Sequence, residues 1–372
     1  MNVDVKSCNY LIQILKNNPR INYIARAVTP WQALGVDSAI SFLAEQGLSP
    51  QEGVSIVVPH KKTGFCCNET IFSNESQHKF CVDILNHGLN KVYKNVLLYL
   101  FLFGNFFRKK KKDFYIIGAT PDSLLASIVF CLKTNRHIKF LLIDDGAAKY
   151  MNTLKAARPR EGLINILKYI HFSYFGGSFI EKYHDVFHFQ MLLSINGQWT
   201  SNASVVSQYK NVLNLKKNKI CNITFEGPPE NTFVICTTAW DRSLVADNED
   251  LKVLLRICSF LHEKGYNLIL KTHPRDSFFE KYSNELHCAN IEFGQIPMET
   301  ICAQNHFRGI ISFSSTILYT ANILFNIPTY CISDMLCRNK IDAFYLNEID
   351  RFKENFVALT KFIKKETEIT QT

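Results

Sequence analysis

The sequence predicts an α/β protein of two doubly wound domains, each a parallel sheet covered by helices on both faces, with a cleft between them. Three observations carry this. The chain has 372 residues, more than one domain of roughly 100–200 residues accommodates. Short apolar runs alternate with longer segments of helical spacing in both halves. A Gly/Pro-bearing stretch separates the two alternating series.

In the first half, NYIARAVTP (22–30) reads as a strand ending at a proline. PWQALGVDSAISFLAEQ (30–46) has helical spacing with Pro30 near its start. GVSIVVPH (53–60) is the next strand. DFYIIGATP (113–121) follows, with the helical DSLLASIVFCLK behind it, and then IKFLLIDDG (138–146). Residues 151–220, rich in aromatic and basic side chains, read as helical segments and loops capping the first domain. The expected division is 1–216, a linker at 217–231 that carries Gly227-Pro228-Pro229, and a second domain over 232–347. In the second domain TFVICTTAW, YNLILKTHP, FRGIISFSS and PTYCIS read as strands. EDLKVLLRICSFLHEKG and TILYTANILFN read as helices. EIDRFKENFVALTKFIKKE (348–366) has the pattern of an amphipathic helix, so 348–372 is expected to pack back across the domains.

Hydrophobic residues make up 47% and charged residues 20%, which excludes a disordered chain. The net charge of +9 favours anionic partners. The basic residues are scattered, which argues against nucleic acid. The dense run Arg108-Lys109-Lys110-Lys111-Lys112 follows the apolar VLLYLFLFGNFF (96–107). That run is far short of the ~20 residues a membrane span needs. It reads either as a buried helix with a basic end or as a peripheral contact with an anionic inner leaflet. The first residues lack a signal-peptide pattern, so a cytoplasmic location is expected. The 12 cysteines form no CxxC pair, and many lie in apolar runs, so reduced core cysteines and no zinc site are expected.

Ligands of open α/β sheets sit at the carboxyl ends of strands, and four polar clusters fall there. In IDDGAAKY, Asp144 and Asp145 end a strand and Gly146 permits a tight turn. Neighbouring carboxylates repel, so one can serve as a base; a turn or helix cap is the plainer alternative. In KTHPRD, His273 can protonate a leaving group or donate to a phosphate, Pro274 fixes the backbone behind it, and Lys271 and Arg275 make the place electropositive. In SFSST, Ser314, Ser315 and Thr316 put hydroxyls and backbone N–H groups at a helix start, suited to one phosphate or to simple capping. In TTAWD, Trp240 can stack on a sugar and Asp241 is a further base, or the pair is a core tryptophan beside a cap.

Taken together, Asp144-Asp145-Gly146, His273-Pro274 and Ser314-Ser315 resemble the shared motifs of the bacterial sialyltransferases, in glycosyltransferase families 52, 80 and 38. TTAWD, LILKTHPRDSFFEKY and IPMET resemble family 80 segments; VTPWQALGVDSAI and EKYHDVFHF resemble family 52. The resemblance implies a GT-B-like arrangement of two Rossmann-type domains, which nucleotide-sugar epimerases and unrelated binding proteins also use. It implies transfer of sialic acid from CMP-sialic acid to a terminal sugar, galactose expected, of a bacterial surface glycan: lipopolysaccharide O-antigen, lipooligosaccharide or capsule. Asp145 would deprotonate the acceptor hydroxyl, with Asp241 the second choice. His273 would assist departure of the phosphate that Ser314 and Ser315 hold, with Thr316 and Pro274 beside them. Glu299 would bind the ribose, Lys271 would lie beside the cytosine, and Trp240 with Gly146 would meet the acceptor. Lys149 stands before Tyr150 where family 80 has a glutamate, a departure from that family's acceptor side. No cofactor and no metal are expected, because a leaving nucleoside monophosphate carries a single phosphate. The alternatives are a glucosyl- or galactosyltransferase using a nucleoside diphosphate sugar, a polysialyltransferase, and a non-catalytic binding protein. Oligomeric state is open, a homodimer included.

Overall fold

The structure is a computed structural model that describes residues 5–58, 78–83, 112–119, 136–144, 185–195, 198–217, 227–237, 249–272, 289–290, 297–313, 315–341, 346 and 357–358. Among the described residues, two compact units divide between Val212 and Leu213.

The first unit is a parallel seven-stranded sheet in the order β1-β4-β3-β2-β5-β6-β7. Its strands are β1 (Val5–Ser7), β2 (Tyr23–Ala27), β3 (Gly53–Val57), β4 (His78–Asp83), β5 (Lys112–Gly118), β6 (Arg136–Ile143) and β7 (Asp185–Phe189). From β4 to β7 this is the doubly wound order, which runs outward in both directions from β2 and β5. β2 and β3 are buried almost throughout, as strands covered on both faces must be, which is why their sequences are continuous apolar runs. Helix α1 (Cys8–Asn17) precedes β2, and α2 (Pro30–Glu45) follows it. The start of α2 is written in VTPWQ. Thr29 Oγ1 accepts from the Gln32 N–H at 3.1 Å, and Gln32 Oε1 accepts from the Val28 N–H at 2.8 Å. This reciprocal cap satisfies two backbone donors before the helix ladder begins.

Within 151–220, where 151–184 and 218–220 lie outside the described residues, the described part departs from expectation. HDVFHF supplies an edge strand, β7, in register with β6 from Lys139↔Asp185 to Ile143↔Phe189. β8 (Leu192–Ile195) and β9 (Gln198–Ser201) form an antiparallel hairpin, and only α3 (Ala203–Lys217) is helical among the described residues there. β7 escapes a period-based reading because it is an edge strand, mostly exposed along its length.

The second unit is a parallel six-stranded sheet in the order β12-β11-β10-β13-β14-β15. The strands are β10 (Thr232–Cys236), β11 (Asn267–Lys271), β12 (Ala289–Asn290), β13 (Gly309–Ser312), β14 (Thr329–Cys331) and β15 (Val357–Ala358). The helices are α4 (Glu249–Glu263), α5 (Met298–Cys302) and α6 (Ile317–Phe325). Side chains alternate along β10. Phe233 and Ile235 join the core under α4, while Val234 and Cys236 join the core under α5 and α6. The continuous helix expected over 348–366 is corrected: Val357 and Ala358 pair in parallel with Tyr330 and Cys331. Val357 and Ala358 suit a sheet edge as well as a helix, and the rest of 348–366 lies outside the described residues.

Among the described cysteines, Cys236, Cys258, Cys302 and Cys331 are buried free thiols. Cys81 of β4 is disulfide-bonded, which corrects the expectation of reduced cysteines at that position. Residues 96–107 and Arg108 to Lys111 lie outside the described residues, and Lys112 opens β5. No helix among the described residues is long and apolar enough to cross a membrane.

Gly309 shows how tightly the second sheet is filled. A Cβ there would meet the Tyr330 ring at 2.6 Å and the Phe233 ring at 2.8 Å. Gly309→Ala is therefore expected to lower stability by about 1–3 kcal/mol through overpacking. Urea unfolding checks it, as a lower midpoint at an unchanged m-value.

Candidate active site

The second unit places its polar clusters where a doubly wound sheet binds ligands. β10 is flanked by β11 on one side and β13 on the other, so the strand order reverses there. Register sets Cys236 opposite Lys271, and the Thr237 N–H donates to Lys271 O at 3.0 Å. On the other side Ser312 Oγ donates to Cys236 O at 2.8 Å, with both residues buried. Ser312, the first serine of SFSST, is thus spent on holding two strand ends together.

Chain direction then brings two helices to this edge. α5 carries Glu299, which is 5% exposed. α6 opens at Thr316, whose side chain makes no capping hydrogen bond, and Ser315 stands half-buried just before it. The Thr320 hydroxyl, one turn into α6, donates to Glu299 Oε1 at 2.7 Å. Burial raises the Glu299 carboxyl above the usual carboxylate range, against the Thr320 hydroxyl, its own backbone N–H and the charge of Lys271. Burial likewise lowers the Lys271 ammonium, against Cys236 and Glu299. The Cys236 thiol is pushed up to about 12 by burial, so it is neutral and is a wall of the site rather than a nucleophile. Lys271, Cys236 and Glu299 thus lie within electrostatic reach of one another, Lys271 and Cys236 at the carboxyl ends of β11 and β10.

The first unit places Asp144 at the end of β6, fully buried. Its Oδ2 accepts from the Met191 N–H at 3.0 Å, which ties β6 to the turn between β7 and β8. Beside it, Gly35 of α2 comes close to Ile143 and to the Tyr209 hydroxyl, and Tyr209 stacks on Trp31 at 5.3 Å and on Phe189 at 6.1 Å. VTPWQALG and DVFHF are therefore packing partners around the strand that carries the acidic pair.

Of the residues singled out in the sequence, Asp144, Lys271, Glu299, Ser315 and Thr316 are placed. Asp145, Gly146, Trp240, Asp241, His273, Pro274 and Ser314 lie outside the described residues. Two contributors escaped sequence reading, Thr320 and Ser312. Thr320 sits at i+4 from Thr316, on the same face of α6, and that spacing was the available signal. Among the described residues no group of three or more His, Cys, Asp or Glu side chains converges as a metal site.

The family model of the alpha-2,8-polysialyltransferases matches residues 24–333, which is most of the chain and spans every candidate residue. The chain belongs to the alpha-2,8-polysialyltransferase family. No curated protein matches it in sequence. Among solved structures, the alpha/beta-galactoside alpha-2,3-sialyltransferase of Photobacterium phosphoreum is similar, with 13% identity and a TM-score of 0.50, covering 91% of this chain and 98% of that one. The UDP-GlcNAc 2-epimerase of Methanocaldococcus jannaschii has 14% identity and a TM-score of 0.48, covering 93% and 91%. The ADP-heptose lipopolysaccharide heptosyltransferase II of E. coli has 13% identity and a TM-score of 0.36, covering 83% of each chain. The family match bears out the sialyltransferase resemblance, and the likeness to the solved sialyltransferase bears out the α/β fold. As a member of the polysialyltransferase family, the chain is a glycosyltransferase of sialyltransferase type. Its family implies a sugar-nucleotide donor and a glycan acceptor.

Two outcomes follow from this geometry. Asp144→Ala strands the Met191 N–H and is expected to cost about 1–3 kcal/mol, with Asp144→Asn milder because the amide oxygen still accepts; thermal unfolding separates them. For Glu299 the folded state holds its proton more tightly than the unfolded state does. Stability therefore falls as pH rises from the ordinary carboxylate range through the raised folded pKa. Glu299→Gln is expected to be more stable than wild type at neutral pH and to match it near the ordinary carboxylate range, as denaturation at a series of pH values shows.

Proposed function

We propose that this polysialyltransferase-family chain transfers sialic acid from CMP-sialic acid to the non-reducing end of a bacterial surface glycan, building an α-2,8 linkage on an acceptor that already ends in sialic acid. The family match over 24–333 carries this reading. Support comes from the second unit. A buried carboxylate, Glu299, suits a ribose diol, and Lys271 lies beside it. An α6 start with Ser315 and Thr316 suits a single phosphate, because its N–H groups and dipole favour an anion.

The proposed step is a direct inverting displacement. The acceptor hydroxyl oxygen attacks the anomeric carbon as the bond from that carbon to the phosphate oxygen breaks. The hydroxyl proton passes to Asp145, and the leaving electron pair stays on CMP, where His273, Ser314, Ser315 and Thr316 meet the charge. The sugar passes through an oxocarbenium-like state. One phosphate met by a protonated histidine and several hydrogen-bond donors needs no divalent ion. The TTAWD segment favours a second reading in which the acceptor ends in galactose.

Incubating the purified chain with CMP-sialic acid and EDTA tests the donor, the metal and the acceptor together. Acceptors ending in sialic acid and in galactose are supplied side by side, and CMP release and product length are followed. Product should form on the sialylated acceptor and fall about 10²–10⁴-fold in Asp145→Ala and in His273→Ala. Full activity in Asp145→Ala would move the base to Asp241. A folded chain that releases no CMP with any acceptor would remove the donor assignment.

A further inference from the structure

Thr320 is fully buried in the middle of α6, between Tyr319 and Ala321. A β-branched residue is a weak choice for a helix interior, and a buried helical threonine ordinarily turns its hydroxyl back to the carbonyl four residues earlier. Here the hydroxyl instead reaches out of the helix to Glu299 Oε1 at 2.7 Å. Valine would fill the same space, so packing alone does not call for the oxygen.

The surroundings of Glu299 explain it. Its neighbours in α5, Met298 and Ile301, belong to an apolar core with Val234, Ile269 and Ile317, and the neutral thiols of Cys236 and Cys302 are close enough to feel the Glu299 charge. Lys271 is the facing cation. Among the described residues Thr320 is the one side chain that hydrogen-bonds this carboxylate. Thr320 N–H also donates to Thr316 O at 3.1 Å, so the residue that orients Glu299 stands one helical turn from the start of α6. One turn rises about 5.4 Å, the scale that separates a ribose diol from its 5′-phosphate.

We propose that Thr320 is a positioning residue, whose hydroxyl holds the Glu299 carboxylate in the one orientation that receives the ribose diol of the sugar nucleotide while α6 receives its phosphate. This rests on the donor reading above and adds to it a residue outside all of the sequence motifs. A protonated or rotated carboxyl loses one of the two acceptor oxygens a diol needs. Thr320 favours the ionised, oriented form, because a hydroxyl donating to a carboxylate stabilises its charge.

Two readouts test it on the full chain. The first needs no ligand. With carboxyl-¹³C glutamate, the Glu299 signal is identified by its loss in Glu299→Gln and followed against pH. Thr320→Val should move that titration to higher pH and Thr320→Ser should return it toward wild type, with Thr320→Ala standing in where the valine variant does not fold. An unmoved titration in a folded variant overturns the proposal. The second readout is donor kinetics. Thr320→Val should raise the KM for CMP-sialic acid about tenfold with kcat nearly kept, Thr320→Ser should restore it, and the acid limb of 1/KM should shift upward with the NMR titration. A lowered kcat at unchanged KM also overturns the proposal. If the titration moves while wild type binds neither CMP nor CMP-sialic acid, Thr320 keeps its positioning role and the donor assignment falls.

Discussion

The candidate site depends on β10 being paired on both sides in parallel. That pairing sends every strand end in the second unit to one edge, and it makes β10 the switch point: the chain winds from β10 to β11 and β12 on one side and crosses to β13 and β14 on the other. Two polar bonds keep the edge from fraying. The Thr237 N–H holds the Lys271 carbonyl, and the Ser312 hydroxyl holds the Cys236 carbonyl. With these ends fixed, α5 and α6 have one place to start, and Glu299, Ser315 and Thr316 arrive with them.

Such a site works against the fold that carries it. Glu299 is buried beside thiols and aliphatic side chains, where its charge is disfavoured, and Lys271 is shifted toward its neutral form by the same desolvation. A sequence selected for stability alone would fill this volume with apolar groups. The polar residues persist at the strand ends, where a doubly wound sheet recognises ligands, while the strand interiors a few residues away are wholly apolar. That contrast within β10, β11 and β13 marks the site more sharply than any single motif does.

Much of this was legible in the sequence. Strands buried on both faces leave unbroken apolar runs, so TFVIC and NLILK announced themselves, and Thr29-Pro30 marked the start of α2. The strand-end motifs were legible because ligand chemistry concentrates unusual residues there. What escaped depended on partners distant in the chain. β7 reads as a polar, aromatic segment until β6 lies beside it. Val357 and Ala358 look helical until Tyr330 and Cys331 offer them a ladder. Asp144 looks like half of a catalytic pair, yet its Oδ2 takes the backbone N–H of a residue 47 positions away. Thr320 looks like an ordinary helix residue until α5 brings Glu299 to it.

The pairing of β15 with β14 also sets an order of events during synthesis. β14 is complete at Cys331, but the strand that covers its open side is Val357–Ala358. Chains emerge from the ribosome at roughly 5–20 residues per second, so for a second or more the nascent second unit presents Thr329–Cys331 as an uncovered, apolar sheet edge. Such an edge is a template for pairing with another chain. A message truncated before codon 357 would leave that edge open permanently. β15 thus shields the open side of β14 in a unit to whose candidate site it contributes no residue.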